Sequence, residues 1–190
     1  MSQLSVKDLL KLKFKKLGKN LYISDKTSFH NPTNISIGDN SRIDDYCVLS
    51  AGREGIDIGR NVHIAVYSSL IGQSKIRIGD FTNISSRVSV YSSNDDYSGE
   101  TMTNPTINEK YKKVTHGKVD IGKHVIIGSG SIILPNVIIE DGVAVGALSL
   151  IKSNCKSFNI YAGIPAKIIK KRSKKLLNLE KRYLLSFQRK

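Results

Sequence analysis

A beat of six residues constrains this chain more than any other feature. Ile37, Ile43 and Leu49 stand six apart, as do Ile58, Ile64 and Leu70, and then Ile78, Ile84 and Val90. Ile121, Ile127, Ile133, Ile139, Val145 and Ile151 carry the beat on without a slip. Four residues after most of them falls a small or β-branched side chain, such as Ser41, Cys47, Val62, Thr82, Ser131 or Val143. Glycine follows directly at Gly38, Gly59, Gly79, Gly122, Gly128 and Gly146. A short fixed period marks a solenoid, in which each repeat buries its apolar face only against its neighbours. Strand alternation sends positions i and i+4 inward, and glycine at i+1 is expected to supply the positive φ of a tight corner. Three six-residue sides close a triangular coil, and coils stack at roughly 4.8 Å. The predicted fold class is an all-β solenoid, a parallel β-helix.

The breaks in phase are equally informative. Regular coils start at Ile37, Ile58, Ile78 and Ile121, with extra residues in "AGREGID", in "IGQSKIR" and in a long stretch over 91–118. Each insertion follows the third side of its coil, so all three leave from one corner. A long loop planted on a rigid scaffold beside two smaller bulges is expected to build a site. The chain divides into an N-terminal amphipathic helix over 1–20, a repeat body over 21–170 carrying the acceptor loop 91–118, and a basic C-terminal helix over 171–190.

With 30 Lys+Arg against 16 Asp+Glu, the net charge is +14 and an anionic partner is expected. Nucleic acid fits poorly, because the basic residues gather at the two ends and no helix-turn-helix, zinc-finger or RNP pattern is present. Nucleotide phosphates or an anionic membrane surface fit as well. Cys47 and Cys155 make no disulfide framework, consistent with a reducing cytoplasm. The first twenty residues space lysines through their apolar positions, unlike a signal peptide, and no run approaches a membrane span. Val6, Leu9, Leu10, Phe14 and Leu17 read as one face of a helix. That face either caps the solenoid's open end or lies on the inner face of a membrane as a peripheral contact. In the closing segment Leu176, Leu177, Leu179, Leu184 and Leu185 are the expected packing residues.

The end of the chain, "VGALSLIKSNCKSFNIYAGIPAKIIKKR", and the preceding "IIGSGSIILPNV" resemble the hexapeptide-repeat acyltransferases. The likeness runs from about Ile35 to Arg172. It is closest to the galactoside, maltose, xenobiotic and serine acetyltransferase branch, and within it to bacterial surface-polysaccharide O-acetyltransferases. The resemblance implies a left-handed coil and a homotrimer, with acetyl-CoA as acetyl donor in a groove between subunits. By position, Ser129 and Ala147 match residues lining the pantetheine arm, and Lys152, Lys167 and Lys170 match basic residues near the adenosine end. Backbone N–H groups at Ser129 or Gly130 would stabilise the thioester oxygen. The blander alternatives are a small corner residue for Ser129 and solvated charges for the lysines.

The family uses a histidine as general base. Where many members carry it early in the loop, this chain has Asp95, and the nearest histidine is His116 at the loop's other end. His116 is therefore the expected base, with Asp95 or Asp96 orienting it. Asn94, Tyr97 and Thr101 are candidates for hydrogen bonds to a carbohydrate acceptor, and His63 for lining the groove. No metal is expected, since the H-x4-H spacing of related β-helix carbonic anhydrases is missing. The leading functional expectation is O-acetylation of a sugar hydroxyl in surface polysaccharide synthesis. The alternatives are N-acetylation of an amino-sugar nucleotide and an inactive binding module.

Overall fold

The computed structural model describes residues 2–187, wound into a three-sided parallel prism between two short helices. The first face stacks Lys16–Leu17, Ile35–Ile37, Ile56–Ile58, Ile76–Ile78, Val119–Ile121 and Val137–Ile139. The second stacks Tyr22–Ile23, Arg42–Ile43, His63–Ile64, Asn83–Ile84, Ile126–Ile127 and Ala144–Val145. Asn159–Gly163 extends it, and Ala166–Lys171 closes it as an antiparallel edge. The third stacks Ser28–His30, Val48–Ala51, Ser69–Gly72, Ser89–Tyr91, Ile132–Ile133 and Leu150–Ile151.

The register sets like on like. Ile37 pairs with Ile58, Ile58 with Ile78, and Ile78 with Ile121. Each of the fifteen beat residues is therefore buried in a continuous aliphatic column. The i+4 position is inward too, and its small polar members are satisfied there. Ser41 donates its hydroxyl to the Gly59 carbonyl at 2.9 Å and accepts the Val62 N–H at 3.2 Å. Thr82 bridges Gly122 and Val125 in the same way, at 2.8 and 3.3 Å. A hydroxyl at this place ties one coil to the next and leaves no polar atom unmet.

The corner glycines serve a different purpose from the one expected. The positive φ falls at i+3, on Asn40, Tyr46, Asn61, Tyr67, Phe81, Arg87, His124, Asn136 and Leu148, mostly residues with full side chains. Glycine at i+1 is needed because coils touch there: a Cβ on Gly79 would lie 2.6 Å from the Gly122 carbonyl carbon, and one on Gly38 2.6 Å from that of Gly59.

The N-terminal segment also departs from the expectation. The only helix there is α1, Val6–Lys11, with Ser5 as its N-cap. Leu17, Ile23 and Phe29 keep the six-residue beat and build an additional coil below Ile37. The apolar residues assigned to one helix face are thus split. Leu9 is buried, Phe14 and Leu17 pack on the core, and Val6 and Leu10 face solvent. Phe14 meets Phe29 edge-on at 4.9 Å.

At the other end α2, Leu176–Phe187, returns along the corner between the first and second faces. Of the five leucines expected to pack, Leu176 and Leu177 are half-buried and Leu179, Leu184 and Leu185 are exposed. Polar and aromatic contacts fix the helix: His124 Nε2 lies 2.9 Å from Glu180, Tyr183 stands edge-on to Phe81, and Tyr183 donates to Asn61 at 3.3 Å. Arg172 donates to the carbonyls of His124, Gly142 and Val143 at 2.8 to 3.1 Å. The expected helix extends to 190, and 188–190 lie outside the described residues. No helix among the described residues is long and apolar enough to cross a membrane.

Backbone contact at the corners makes a clear prediction. Gly79→Ala should destabilise the fold by about 1–3 kcal/mol, since no flexible side chain can give way. Leu148→Gly relieves a left-handed backbone at a residue 70% exposed, and should cost less than about 1 kcal/mol or stabilise. Urea denaturation of the two variants measures the contrast.

Candidate active site

All three insertions leave the corner between the third and first faces, and side-chain and backbone bonds stitch each to the next. Gly52 donates its N–H to Gly72, and Gln73 donates its own to Ser93 Oγ at 2.9 Å. Glu54 accepts from Ser74 Oγ at 3.1 Å and from the Lys75 N–H at 3.2 Å. Ser92, fully buried, donates to the Ser74 carbonyl at 2.7 Å. The close approach of these layers requires Gly72, where a Cβ would meet Ser92 Oγ at 2.2 Å and φ is +145°.

The long loop does not wander. Ser93–Asn94 pairs antiparallel with Thr115–His116, so a short ribbon carries the chain out and returns it to its point of departure. Gly117 then donates to Ser92 and the beat resumes at Val119–Ile121. Ribbon, loop and both smaller insertions enclose a cavity of about 820 Å³. Arg53 and Glu54 line it from the first insertion, Gln73 and Ser74 from the second, and Asn94, Asp95, Glu109, Lys112 and His116 from the loop.

The expected acceptor-side residues divide in space. His116, Asp95 and Asn94 share the cavity wall. His116 Nδ1 lies 2.8 Å from Ser93 Oγ; in the tautomer where Nδ1–H donates, Nε2 keeps its lone pair. Asp95 makes no hydrogen bond or ion pair among the described residues. Asp96 has a different task from the orienting one expected of it. Its carboxylate accepts from the N–H and hydroxyl of both Ser98 and Thr101, at 2.7 to 2.9 Å. Those bonds, Ser98's first, hold the Asp96 carboxyl well below the ordinary carboxylate range. The turn is therefore intact above the unfolded carboxylate pKa and is lost only in strong acid, as pH falls through the lowered value. Thr101 is spent on Asp96, and Tyr97 points to solvent, 87% exposed.

His63 sits on the second face, away from the cavity. Its ring nitrogens meet Asn83 at 3.0 Å and Asp44 at 2.8 Å, and Asp44 also holds Arg42.

Of the residues expected at the donor, all but Lys152 occupy other edges of the prism. Ser129, Gly130 and Ala147 lie at the corner between the second and third faces, in the last coils, with Ser129 and Ala147 exposed. The Gly130 N–H is already donated to Ser86 at 3.0 Å, so it is not available to a thioester oxygen. The Ser129 N–H makes no hydrogen bond among the described residues. Lys152 follows Leu150–Ile151, and Lys167 and Lys170 lie exposed on the edge strand Ala166–Lys171. None of these residues lines the cavity within one chain.

Sequence reading passed over Arg53, Ser93 and Lys112. Arg53 sits inside an insertion marked as site-building, and that was its only signal. Burial of the two cysteine thiols pushes both up to about 11, which leaves them protonated and without a chemical part at neutral pH.

Comparison with known proteins agrees with this fold. The family model for the bacterial transferase hexapeptide (six repeats) matches residues 118–153. The dTDP-4-amino-4,6-dideoxy-D-glucose acyltransferase of Escherichia coli is 57% identical over 180 residues, 95% of this chain and 94% of the relative. The putative lipopolysaccharide biosynthesis O-acetyl transferase WbbJ of E. coli K12 is 31% identical over 79% of this chain and 75% of its own length. AntD, an N-acyltransferase from Bacillus cereus solved with dTDP and 3-hydroxybutyryl-CoA, superposes with a TM-score of 0.95 at 48% identity, covering 98% of each chain. The chain therefore belongs to the hexapeptide-repeat acyltransferases, enzymes built on a left-handed parallel β-helix.

Proposed function

We propose that this enzyme transfers an acyl group from acyl-CoA, with acetyl-CoA as a fitting donor, to the amine of a dTDP-linked 4-amino-4,6-dideoxyhexose. The observation that carries the reading is 57% identity over 95% of the chain to an acyltransferase named for that acceptor. The AntD complex, with dTDP and an acyl-CoA together on the same fold, supports it. O-acetylation of a polysaccharide hydroxyl, the leading expectation from sequence, gives way to its alternative. The lipopolysaccharide-linked relative remains consistent with a product destined for surface polysaccharide. Both substrates of such a reaction are cytoplasmic metabolites. A membrane contact through the N-terminal segment has no support, since α1 spans only Val6–Lys11 and turns Leu9 into the core.

In the proposed reaction the neutral amine attacks the thioester carbonyl, the tetrahedral oxygen gains negative charge, and the C–S bond breaks to release CoA. The amine arrives as an ammonium and must lose a proton before attack. Asp95, in the cavity and without a partner, is suited to draw the ammonium in and take that proton. His116 Nε2 would relay it onward, and the Ser129 N–H is suited to the thioester oxygen. Ser129 and Ala147 would lie along the pantetheine, and Lys152, Lys167 and Lys170 near the adenosine phosphates. The cavity and all of these donor residues but Lys152 stand on different edges of one prism, so the complete site lies between subunits of a trimer. Flat prism faces suit cyclic closure.

The direct test is thiol release with acetyl-CoA. dTDP-4-amino-4,6-dideoxyglucose should be turned over, galactosides and maltose should not, and light scattering should give three times the 21.0 kDa chain mass. Turnover confined to hydroxyl acceptors would restore the O-acetyl reading, and a monomer would remove the intersubunit site.

Because an amine needs only to shed its ammonium proton, Asp95 should matter more than His116. Asp95→Asn is expected to lower kcat/KM by roughly 10²-fold or more, and His116→Ala by about tenfold or less, in steady-state kinetics with the amino sugar. The reverse order would make His116 the base.

Remote phosphate contacts act about equally in ground and transition states. Replacing Lys167 and Lys170 with Ala should therefore raise the KM for acetyl-CoA while kcat stays nearly constant. A collapse of kcat at constant KM would show another role.

A further inference from the structure

The cavity holds two cations that the chemistry above does not use. Lys112 is the more unusual. Its side chain is only 6% exposed, and its one ion-pair partner among the described residues is Glu109, at 2.8 Å and 86% exposed. Burying an ammonium is costly unless a well-held anion accompanies it. Glu109 is poorly held, a long side chain reaching back from a single turn of 3-10 helix, Glu109–Tyr111, with its carboxylate in water. Such a pair gains little by itself.

Arg53 stands on the same cavity wall, contributed by the first small insertion. It is exposed and makes no ion pair or hydrogen bond among the described residues. Its neighbour Glu54 makes no ion pair with it, its carboxylate being turned to Ser74 Oγ and the Lys75 N–H. Two cations from parts of the chain far apart in sequence are thus gathered on one cavity, one loosely paired and one unpaired.

We infer that Arg53 and Lys112 seat the diphosphate of the acceptor, with the Glu109 carboxylate as the stand-in that the diphosphate displaces. The inference rests on the amino-sugar nucleotide reading and assigns residues to it. An amino-sugar nucleotide carries a dianionic diphosphate and a cationic amine, and the cavity offers two cations and the unpartnered carboxylate of Asp95 to match them. Arg53 brings a planar fork that fits phosphate oxygens two at a time, and Lys112 brings a compact charge on a stem already ordered by burial. A simple sugar would leave both cations without a purpose.

Calorimetric titration of the trimer with dTDP, and separately with CoA, tests this. Arg53→Gln and Lys112→Met should each weaken dTDP binding by about tenfold while CoA affinity is kept, because a charge-assisted bond is lost in one subsite only. Glu109→Gln should leave dTDP affinity unchanged or tighten it several-fold, the opposite of what an ion pair that merely props the loop would give. Should Lys112→Met fail to fold, Arg53→Gln and Glu109→Gln still decide the matter. If wild type binds dTDP and both cation variants bind it within about twofold, the seat is elsewhere although the functional reading stands. Weakening by Glu109→Gln would overturn the displacement. A wild-type enzyme that neither binds dTDP nor acylates the amino-sugar nucleotide would overturn the functional reading and the seat together.

Discussion

Parallel hydrogen bonding between successive coils, at a spacing of about 4.8 Å, leaves no room for a side chain at the corner position just after the beat residue of the first face, and most of this structure follows from that close stacking. It demands glycine at Gly38, Gly59, Gly79 and Gly122, whose Cβ positions are taken by atoms of the coil above. It sets Ile on Ile down the faces, because a slip of one residue would turn each aliphatic column into solvent. It also explains why hydroxyls are tolerated inside the prism. A Ser or Thr at i+4 reaches the carbonyl of the neighbouring coil at hydrogen-bonding distance, as Ser41 and Thr82 do.

The same rigidity makes insertion possible. A solenoid coil is complete after three sides, so extra residues placed at a corner disturb neither the coil below nor the coil above. Three successive coils use one corner in this way, and the inserted segments are bound to each other rather than left in solvent. Gly52 bonds Gly72, Glu54 holds Ser74 and Lys75, and Ser92 and Ser93 carry the connection into the ribbon. The cavity wall is therefore an ordered extension of the prism, and its chemistry is carried by the side chains this lattice leaves uncommitted. Asp95 and Arg53 are two of them, whereas Asp96 is consumed in holding its own turn.

The corner between the first and second faces has a different fate. Its left-handed positions carry Asn61, Phe81 and His124, and α2 lies along them through Tyr183 and Glu180. Packing of this kind has no hydrophobic period to announce it, since the contacts are an imidazole, a phenol and a carboxylate spaced by the coil rise. Hence three of the leucines that composition offers in the closing segment, Leu179, Leu184 and Leu185, are exposed.

The sequence by itself determined the period, the coil phase, the inward positions and the shared corner of the insertions, because each is a local repeat read in one dimension. It also held Leu17, Ile23 and Phe29 on the beat, although their lysine-rich surroundings resembled a helix more than a coil. Only the tertiary structure decided which polar residues are free to act. Asp95 and Asp96 are adjacent and chemically alike, yet the turn takes one and leaves the other to the cavity. Gly130 lost its expected part because its N–H already serves Ser86, and the second face holds the His63 ring between Asn83 and Asp44. Lys112 gained significance only through burial. Periodicity is a property of neighbours along the chain, whereas availability for chemistry depends on which partner each polar group finds across the fold.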